Sequence, residues 1–386
     1  MAVLNHLYLS RKPIAGFLAI GAAWAVYFAQ MPVIKAQVGA SDGAYGGALL
    51  FAALGAFAAM WLAPACRRLA GGWSMPLGIL VLAIGMFGAS LSGSLLMLTL
   101  AMLTASVGSG VIDVLVNARV SEIEEAEGVK LMSLNHALYA FAYGGGALAT
   151  SALRAAEVPP VPIFAGLLAL LAILAVWSHD VPPAPAALED SDAGAALYTP
   201  LVLVTGVIVL MAFLAEASTE GWSALHIERT LGGTASQGAL GPAVLGLALG
   251  VGRLAGHWLS QRFNDTALML GATLLSAVGI VLAGIAPDVG LALAGFALGG
   301  LGISVVAPLA LSLIGRVVPP AHRLTAISRA SVIGYGAFFF GPPLMGLVSE
   351  LFGLRLSFLL VAFLLALTGA VFVPALSRRA YAMRGV

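Results

Sequence analysis

Residues 158–178 of the chain read VPPVPIFAGLLALLAILAVWS, and this stretch contains no ionisable side chain. The hydrocarbon core of a bilayer is about 30 Å thick, so a helix of about 20 apolar residues crosses it. Lipid offers no partner to backbone N–H and C=O groups, and the run is too continuously apolar for a strand of a membrane barrel. The stretch therefore predicts a transmembrane helix.

The same pattern recurs along the whole chain. Of its 386 residues, 61% are hydrophobic and 9% are charged, and the mean hydropathy is +1.03. This composition excludes a water-soluble globule and predicts an all-α membrane protein with twelve transmembrane spans. The predicted span centres are Gly21, Leu54, Leu82, Ser106, Phe141, Leu168, Leu210, Leu245, Leu275, Ile303, Ala337 and Val361.

The basic residues predict the orientation, because cytoplasmic loops carry an excess of Lys and Arg. With the N-terminus inside, the outer ends hold only Lys35, Arg154, Arg229 and Arg355. We therefore expect a multi-pass protein of the inner (plasma) membrane with both termini in the cytoplasm. The predicted cytoplasmic basic residues are Arg11, Lys12, Arg67, Arg68, Arg119, Lys130, Arg253, Arg262, Arg316, Arg323, Arg329, Arg378, Arg379 and Arg384.

Several classes of protein do not fit this sequence. The single cysteine, Cys66, excludes an internal disulfide and forms no metal-ligand cluster. The net charge is +1, and no basic patch with interleaved aromatic residues suggests nucleic acid. No nucleophile–base pair has a spacing that suggests catalysis. We expect no enzyme activity, no cofactor and no metal, and we expect a monomer in contact with membrane lipid.

One segment divides the chain. Residues 181–197, VPPAPAALEDSDAGAAL, are rich in Pro, Ala and acidic side chains, which is typical of a flexible linker. We therefore predict an N-terminal six-helix bundle at 1–180, a cytoplasmic linker at 181–197 and a C-terminal six-helix bundle at 198–386.

The two halves also share short motifs at a constant offset. Gly108-Ser109-Gly110-Val111 corresponds to Gly300-Leu301-Gly302-Ile303, and Ala142-Tyr143-Gly144 corresponds to Gly334-Tyr335-Gly336, both 192 residues apart (300 − 108 and 334 − 142). Two matches at one offset favour parallel six-helix repeats, as in alternating-access transporters. The alternative is chance matching of glycine-rich segments.

These features resemble the major facilitator superfamily over essentially the whole chain. The resemblance includes basic turns after spans two and eight, here residues 63–72 (APACRRLAGG) and 252–262 (GRLAGHWLSQR). The first turn keeps the arginines and glycines of the family signature but has no Asp. By this resemblance, the gating residues would be Arg67, Arg68, Arg253 and Arg262.

A narrower resemblance is to the fucose-permease-like branch and its uncharacterised inner-membrane relatives. It rests on residues 108–117 (GSGVIDVLVN) in span four, residues 134–137 (LNHA) in span five, and residues 216–225 in span seven. Unlike sugar permeases of that branch, span one has no acid in the segment 27–32 (YFAQMP). The resemblance implies a proton-coupling role for Asp113.

Ionisable groups inside the spans indicate the chemistry. An ionised carboxylate is costly at membrane depth, so it must face water, pair with a cation or bind a proton. Asp113 and Asn117 lie one turn apart on one face of span four, so both can address one cavity. We predict that Asp113 carries a coupling proton and that Asn117 contacts substrate. The alternative is a latch between Asp113 and Arg67, Arg68 or Arg119.

Span seven carries a second pair of acids, Glu216 and Glu220, on one helix face. Glu216 could bind a cationic group, carry a coupling proton, or close an outer gate with Arg229 or Arg355. Glu220 is expected to be a solvated residue at the helix end.

Spans one and five supply further candidates. Because a histidine can titrate near neutral pH, His136 could relay a proton to Asp113, or it could serve as a hydrogen-bonded helix-start residue beside Asn135. Aromatic, phenolic and amide groups suit a polar organic solute. The predicted substrate-binding residues are Tyr27, Gln30, Asn117, Asn135, Tyr139 and Glu216, with Trp24 and Tyr143 as neighbouring candidates.

Together these features predict a secondary transporter of a small polar organic solute, coupled to protons by symport. Symport is favoured because span five lacks the Gly-Pro motif that marks many proton antiporters. The alternatives are an exporter of amphipathic compounds, a lipid scramblase and a non-transporting membrane receptor.

The orientation can be tested by cysteine labelling of intact cells. In a Cys66→Ser background, Asp190→Cys in the linker should be protected from a membrane-impermeant maleimide, because the linker is predicted to be cytoplasmic. Glu157→Cys, between spans five and six, should react as the outer control. Reaction of the cysteine at position 190 in cells that are not permeabilised would show that the predicted orientation is wrong.

Overall fold

The computed structural model describes residues 2–180 and 199–384, and every regular element in these ranges is helical. The predicted linker, 181–197, lies outside the described residues. The first half contains α1 (Ala2–Leu9), α2 (Arg11–Gln37), α3 (Asp42–Ala70), α4 (Ser74–Ser90), α5 (Leu95–Glu127), α6 (Met132–Ala155) and α7 (Pro160–Ser178). The second half contains α8 (Thr199–Leu225), α9 (Ala235–Arg262), α10 (Asp265–Ile285), α11 (Val289–Val317), α12 (Pro320–Tyr335), α13 (Ala337–Phe352), α14 (Leu354–Leu367) and α15 (Val373–Arg384).

These helices form twelve spans. Ten described segments are long and apolar enough to cross a membrane, and one of them, Asp42–Ser90, contains both α3 and α4. Counting α3 and α4 separately gives eleven spans, and the more polar helix α6 is the twelfth. Helices α12 and α13 share one span. Helix α15 continues α14 through a π-helical turn at Thr368–Phe372. Each predicted centre lies in a separate span, so the predicted all-α, twelve-span architecture is confirmed.

Contacts between helices repeat in the two halves. In the first half α4 packs on α5, α3 on α5 and α2 on α6; in the second half α10 packs on α11, α9 on α11 and α8 on α12. The halves meet where α6 packs on α9 and α3 packs on α13. This correspondence gives structural support to the repeat that the shared motifs indicated.

Glycines set the closest helix contacts within each half. A Cβ atom on Gly108 would lie 2.3 Å from the backbone N of Leu82, where α5 crosses α4. At the equivalent crossing of α10 and α11, a Cβ on Gly279 would lie 2.3 Å from the backbone N of Gly299. Helices in lipid associate through such close backbone contacts, so each bundle packs tightly without large interlocking side chains.

The two segments predicted to be basic turns are mostly helical, so the turns are shorter than predicted. Residues 63–70 belong to α3 and residues 252–262 form the end of α9; only Gly71–Trp73 makes a short 3₁₀ turn. Helices α3 and α9 have 29 and 28 residues, well above the roughly 20 that cross a bilayer. Helical structure therefore continues past the apolar run, into the sequence that resembled a turn.

We expect Gly279→Ala to destabilise the protein. The added methyl group must displace the backbone of α11, and overpacking of this kind costs about 1–3 kcal/mol. Thermal unfolding of the detergent-purified variant should begin at a lower temperature than in the wild type. Gly271→Ala on the same helix is the control, because nothing lies within 4 Å of its Cβ position. Equal melting of the two variants would contradict the packing argument.

Candidate functional site

A chain of hydrogen bonds begins in the first half, at Asp113. The side-chain amide of Asn117 donates to Asp113 Oδ1 at 3.0 Å, and Asn117 Oδ1 lies 3.2 Å from His136 Nε2. Since a carbonyl oxygen only accepts, His136 donates through Nε2 in this arrangement. The three residues predicted on spans four and five are thus brought together. Asn117 lies between the carboxylate of Asp113 and the imidazole of His136 and bridges them by two hydrogen bonds.

Arg253 extends this chain into the second half. Its Nη1 donates to the backbone oxygen of His136 at 3.3 Å, and its Nη2 forms a 2.9 Å ion pair with Glu216. The guanidinium also lies 5.9 Å from the centre of the Tyr139 ring. The prediction that Arg253 lies in a cytoplasmic turn was wrong, because it precedes the end of α9 by nine residues, about 14 Å of helix. The partner of Glu216 is therefore Arg253, and not Arg229 or Arg355 as in the outer-gate alternative.

Glu220 adds a second acid to the site. The residue is 8% exposed, and its Oε1 is buried with no hydrogen-bond partner among the described residues. It is close enough to Tyr139 and Tyr143 to interact with them electrostatically. The expectation of a solvated helix end was wrong, because α8 and its π-helical extension continue to Thr230. We call the whole group the central polar cluster: Asp113, Asn117, His136, Tyr139, Tyr143, Glu216, Glu220 and Arg253.

Three predicted substrate-binding residues lie packed in helix interfaces. Tyr27 is fully buried, with its hydroxyl 3.0 Å from that of Tyr45. Gln30 is 1% exposed, and the buried amide of Asn135 donates to the backbone oxygen of Leu131 at 2.9 Å. Their role in binding stays a prediction. The neighbouring candidate Trp24 donates through its indole N–H to Ser109 Oγ at 3.0 Å.

Two of the three arginines proposed as latch partners of Asp113 pair with other acids. Arg67 pairs with Glu122 at 2.8 Å, and Arg119 pairs with Asp180 at 2.7 Å and with Glu122 at 3.3 Å. Segment 63–72 has no Asp, so the carboxylate that pairs with Arg67 comes from Glu122 of α5. We call Arg67, Arg119, Glu122 and Asp180 the Arg119 cluster. It joins α3, α5 and the residues that follow α7. Arg68 is exposed. The gating role predicted for Arg67, Arg68, Arg253 and the exposed Arg262, which lies over the ring of Trp258, stays a prediction.

At the opposite end lies a group that the sequence did not single out. Asp42 pairs with Lys35 at 2.9 Å and accepts two hydrogen bonds from Arg229, at 2.9 and 2.5 Å. Ser349 of α13 donates to the same carboxylate. We call these four residues the Asp42 cluster. Its basic members were both predicted to lie on the outer side, but their shared acid becomes apparent only when the halves are assembled.

Further contacts join the halves at this end. Arg154 of α6 holds Glu228 through two hydrogen bonds of 2.7 and 3.1 Å. A Cβ atom on Gly346 would lie 2.4 Å from the backbone oxygen of Asp42, so α13 and α3 touch directly. In contrast, the ion pairs of the Arg119 cluster join residues of the same half. The conformation is therefore closed at the Asp42 end.

The described residues give no indication of a metal centre. Within 2–180 and 199–384, no group of three or more His, Cys, Asp or Glu side chains is placed to hold an ion. The central polar cluster contains hydrogen-bonding and ionic groups from both halves, which suits recognition of a polar solute and transfer of protons.

Comparison with known proteins gives the family. The Major Facilitator Superfamily profile matches residues 205–383. An uncharacterised MFS-type transporter of Yersinia pestis is 30% identical over 372 residues, covering 94% of each chain. This chain belongs to the major facilitator superfamily. It is thus a multi-pass membrane protein of a transporter family.

Solved structures of this superfamily share the fold. A bacterial homologue of the human lysosomal transporter Spinster, in an inward-facing and unoccupied conformation, has a TM-score of 0.76 at 16% identity and covers 96% of this chain and 97% of its own. A D-xylose-proton symporter has a TM-score of 0.74 at 16% identity, with 95% and 97% covered. At these identities the likeness concerns the fold alone.

Asp42→Asn should open the Asp42 end. The substitution leaves Lys35 and Arg229 without their shared carboxylate, and an uncompensated cation at a packed interface is destabilising. A reporter cysteine, Ser151→Cys in a Cys66→Ser background, should then react severalfold faster with a water-soluble maleimide. The control is Glu157→Gln, which removes an exposed acid at the same end. An unchanged rate would show that this cluster does not hold the halves together.

Proposed function

We propose that the protein is a secondary active transporter that moves a small polar organic solute across the inner membrane by alternating access, coupled to protons by symport. The observation that carries the proposal is the central polar cluster, in which one hydrogen-bonded chain runs from Asp113 in the first half to Glu216 in the second. When the two halves rock against each other, a site formed by residues of both halves changes shape, so its affinity for solute changes.

The closed Asp42 end supports alternating access. In the orientation predicted from the basic residues, this end faces outward, so the conformation is open to the cytoplasm. A structural neighbour is described in an inward-facing, unoccupied conformation. In the opposite conformation the contacts of Asp42 and Arg154 must break, and the halves must close at the Arg119 end.

The chemistry of the site supports a polar solute and proton coupling. Carboxylate, guanidinium, amide and phenol groups converge there, and such groups fix the orientation of a hydrogen-bonding ligand. Asp113 is half-buried, receives a hydrogen bond from Asn117 and has no described ion pair. A carboxyl group in that position can bind and release a proton as its exposure changes.

The solute class can be found by a thermal-shift screen of the purified protein against sugars, sugar acids, amino acids and peptides. A ligand present at 100 times its dissociation constant adds about 2.7 kcal/mol of stability, which is readily detected. The solute that stabilises the protein is then used for uptake into vesicles. Failure of any such solute to accumulate would favour a receptor, and a lipid-flip assay would test the scramblase alternative.

Asp113→Asn should abolish uptake driven by a pH gradient while leaving solute exchange intact. The amide keeps the size and hydrogen bonding of the acid but cannot carry the proton. Vesicles with an imposed pH gradient measure the first activity, and counterflow measures the second. The matched control is Asp288→Asn at the start of α11, where Asn also serves as a helix cap. Undiminished pH-driven accumulation in Asp113→Asn would exclude Asp113 as the coupling group.

A further inference from the structure

Glu220 is the acid of the central polar cluster that the proposed mechanism leaves unused. It lies in α8, between Glu216 and Arg229 along the chain, is 8% exposed, and its Oε1 has no hydrogen-bond partner among the described residues. At Oε1 an ionised carboxylate would lack both water and a donor, which is a costly arrangement. A protonated carboxyl group removes most of this cost.

The charges around Glu220 favour the same state. Glu216 lies one turn away on the same helix face, and two carboxylates at this spacing repel each other. The nearby cation, Arg253, is already held by Glu216 at 2.9 Å and by the backbone oxygen of His136 at 3.3 Å. One guanidinium can neutralise one of the two acids. Ionising both would leave a net charge of about −1 in a site of low dielectric constant.

The neighbouring helices face this part of α8 with aromatic groups. Tyr139 and Tyr143 of α6 lie within electrostatic range of Glu220, and the hydroxyl of Tyr143 is also buried without a described partner. Phe28 of α2 lies beside Gly221, and Tyr45 of α3 packs edge-on against Trp222. Phenols and rings can accept or donate a hydrogen bond or fill space, but they do not supply a positive charge.

We infer that Glu220 is a second proton-binding site, which holds its proton while the halves are closed around it. This inference rests on the proposed alternating access. When the two halves separate beside α8, water reaches the carboxyl group and takes up the proton, and the resulting carboxylate competes with Glu216 for Arg253. The half-buried Asp113 exchanges its proton in the present conformation, whereas Glu220 exchanges only in another.

Infrared spectroscopy of the purified protein at pH 7, without any solute, tests the inference. The C=O stretch of a protonated carboxyl group is separate from the bands of a carboxylate. The difference spectrum between wild type and Glu220→Gln should show the loss of one such group. The control, Glu125→Gln, removes an exposed acid of α5 and should lose only carboxylate absorption. Loss of carboxylate absorption in Glu220→Gln would overturn the inference.

A second variant covers the possibility that Glu220→Gln does not fold. Glu220→Asp keeps the carboxyl group in a different position, so the protonated band should shift in frequency. An unshifted protonated band in that variant would also overturn the inference. Since neither spectrum requires a solute, the result is independent of the uptake assays. A protein that binds this proton but fails to transport would contradict the proposed function and leave the proton site intact.

Discussion

The cost of placing charge in a medium of low dielectric constant governs the arrangement of this protein. The acids, the histidine and the arginine of the central polar cluster lie where the two halves meet. Glu216 and Arg253 neutralise each other there, and Asn117 links Asp113 to His136. These pairings lower the cost of keeping acids and a guanidinium inside the bundle. The same cost makes the pairings sensitive to any movement that lets water in.

Two kinds of helix contact have different consequences for movement. Within each half, glycines such as Gly108 and Gly279 allow backbones to touch, and Gly346 makes one such contact between the halves. Between the halves, many contacts are ionic or hydrogen-bonded, as in Asp42 with Arg229 and Arg154 with Glu228. Polar groups can exchange a protein partner for water at modest net cost where water has access. The arrangement suits rigid bundles that separate at one end and close at the other.

The central polar cluster links this movement to protonation. Arg253 belongs to the second half but contacts the backbone of His136 in the first, so rocking must alter at least one of its contacts. A change in the position of Arg253 changes the charge felt by Glu216 and Glu220. Conversely, a proton gained or lost by an acid changes which partner Arg253 prefers. Such reciprocity between binding and conformation is a thermodynamic requirement for coupling.

The sequence by itself determined the membrane location, the number of spans and their helical state, because apolar runs longer than about 20 residues have few alternatives in a bilayer. It also indicated the Asp113–Asn117 pair, since side chains four residues apart share a helix face whatever the tertiary structure. Helix rotation and the pairing of distant segments depend on packing between helices, which leaves no local signal. For this reason only the tertiary structure decided that Arg253 lies beside Glu216, that Glu220 is buried, and that Asp42 joins Lys35 to Arg229.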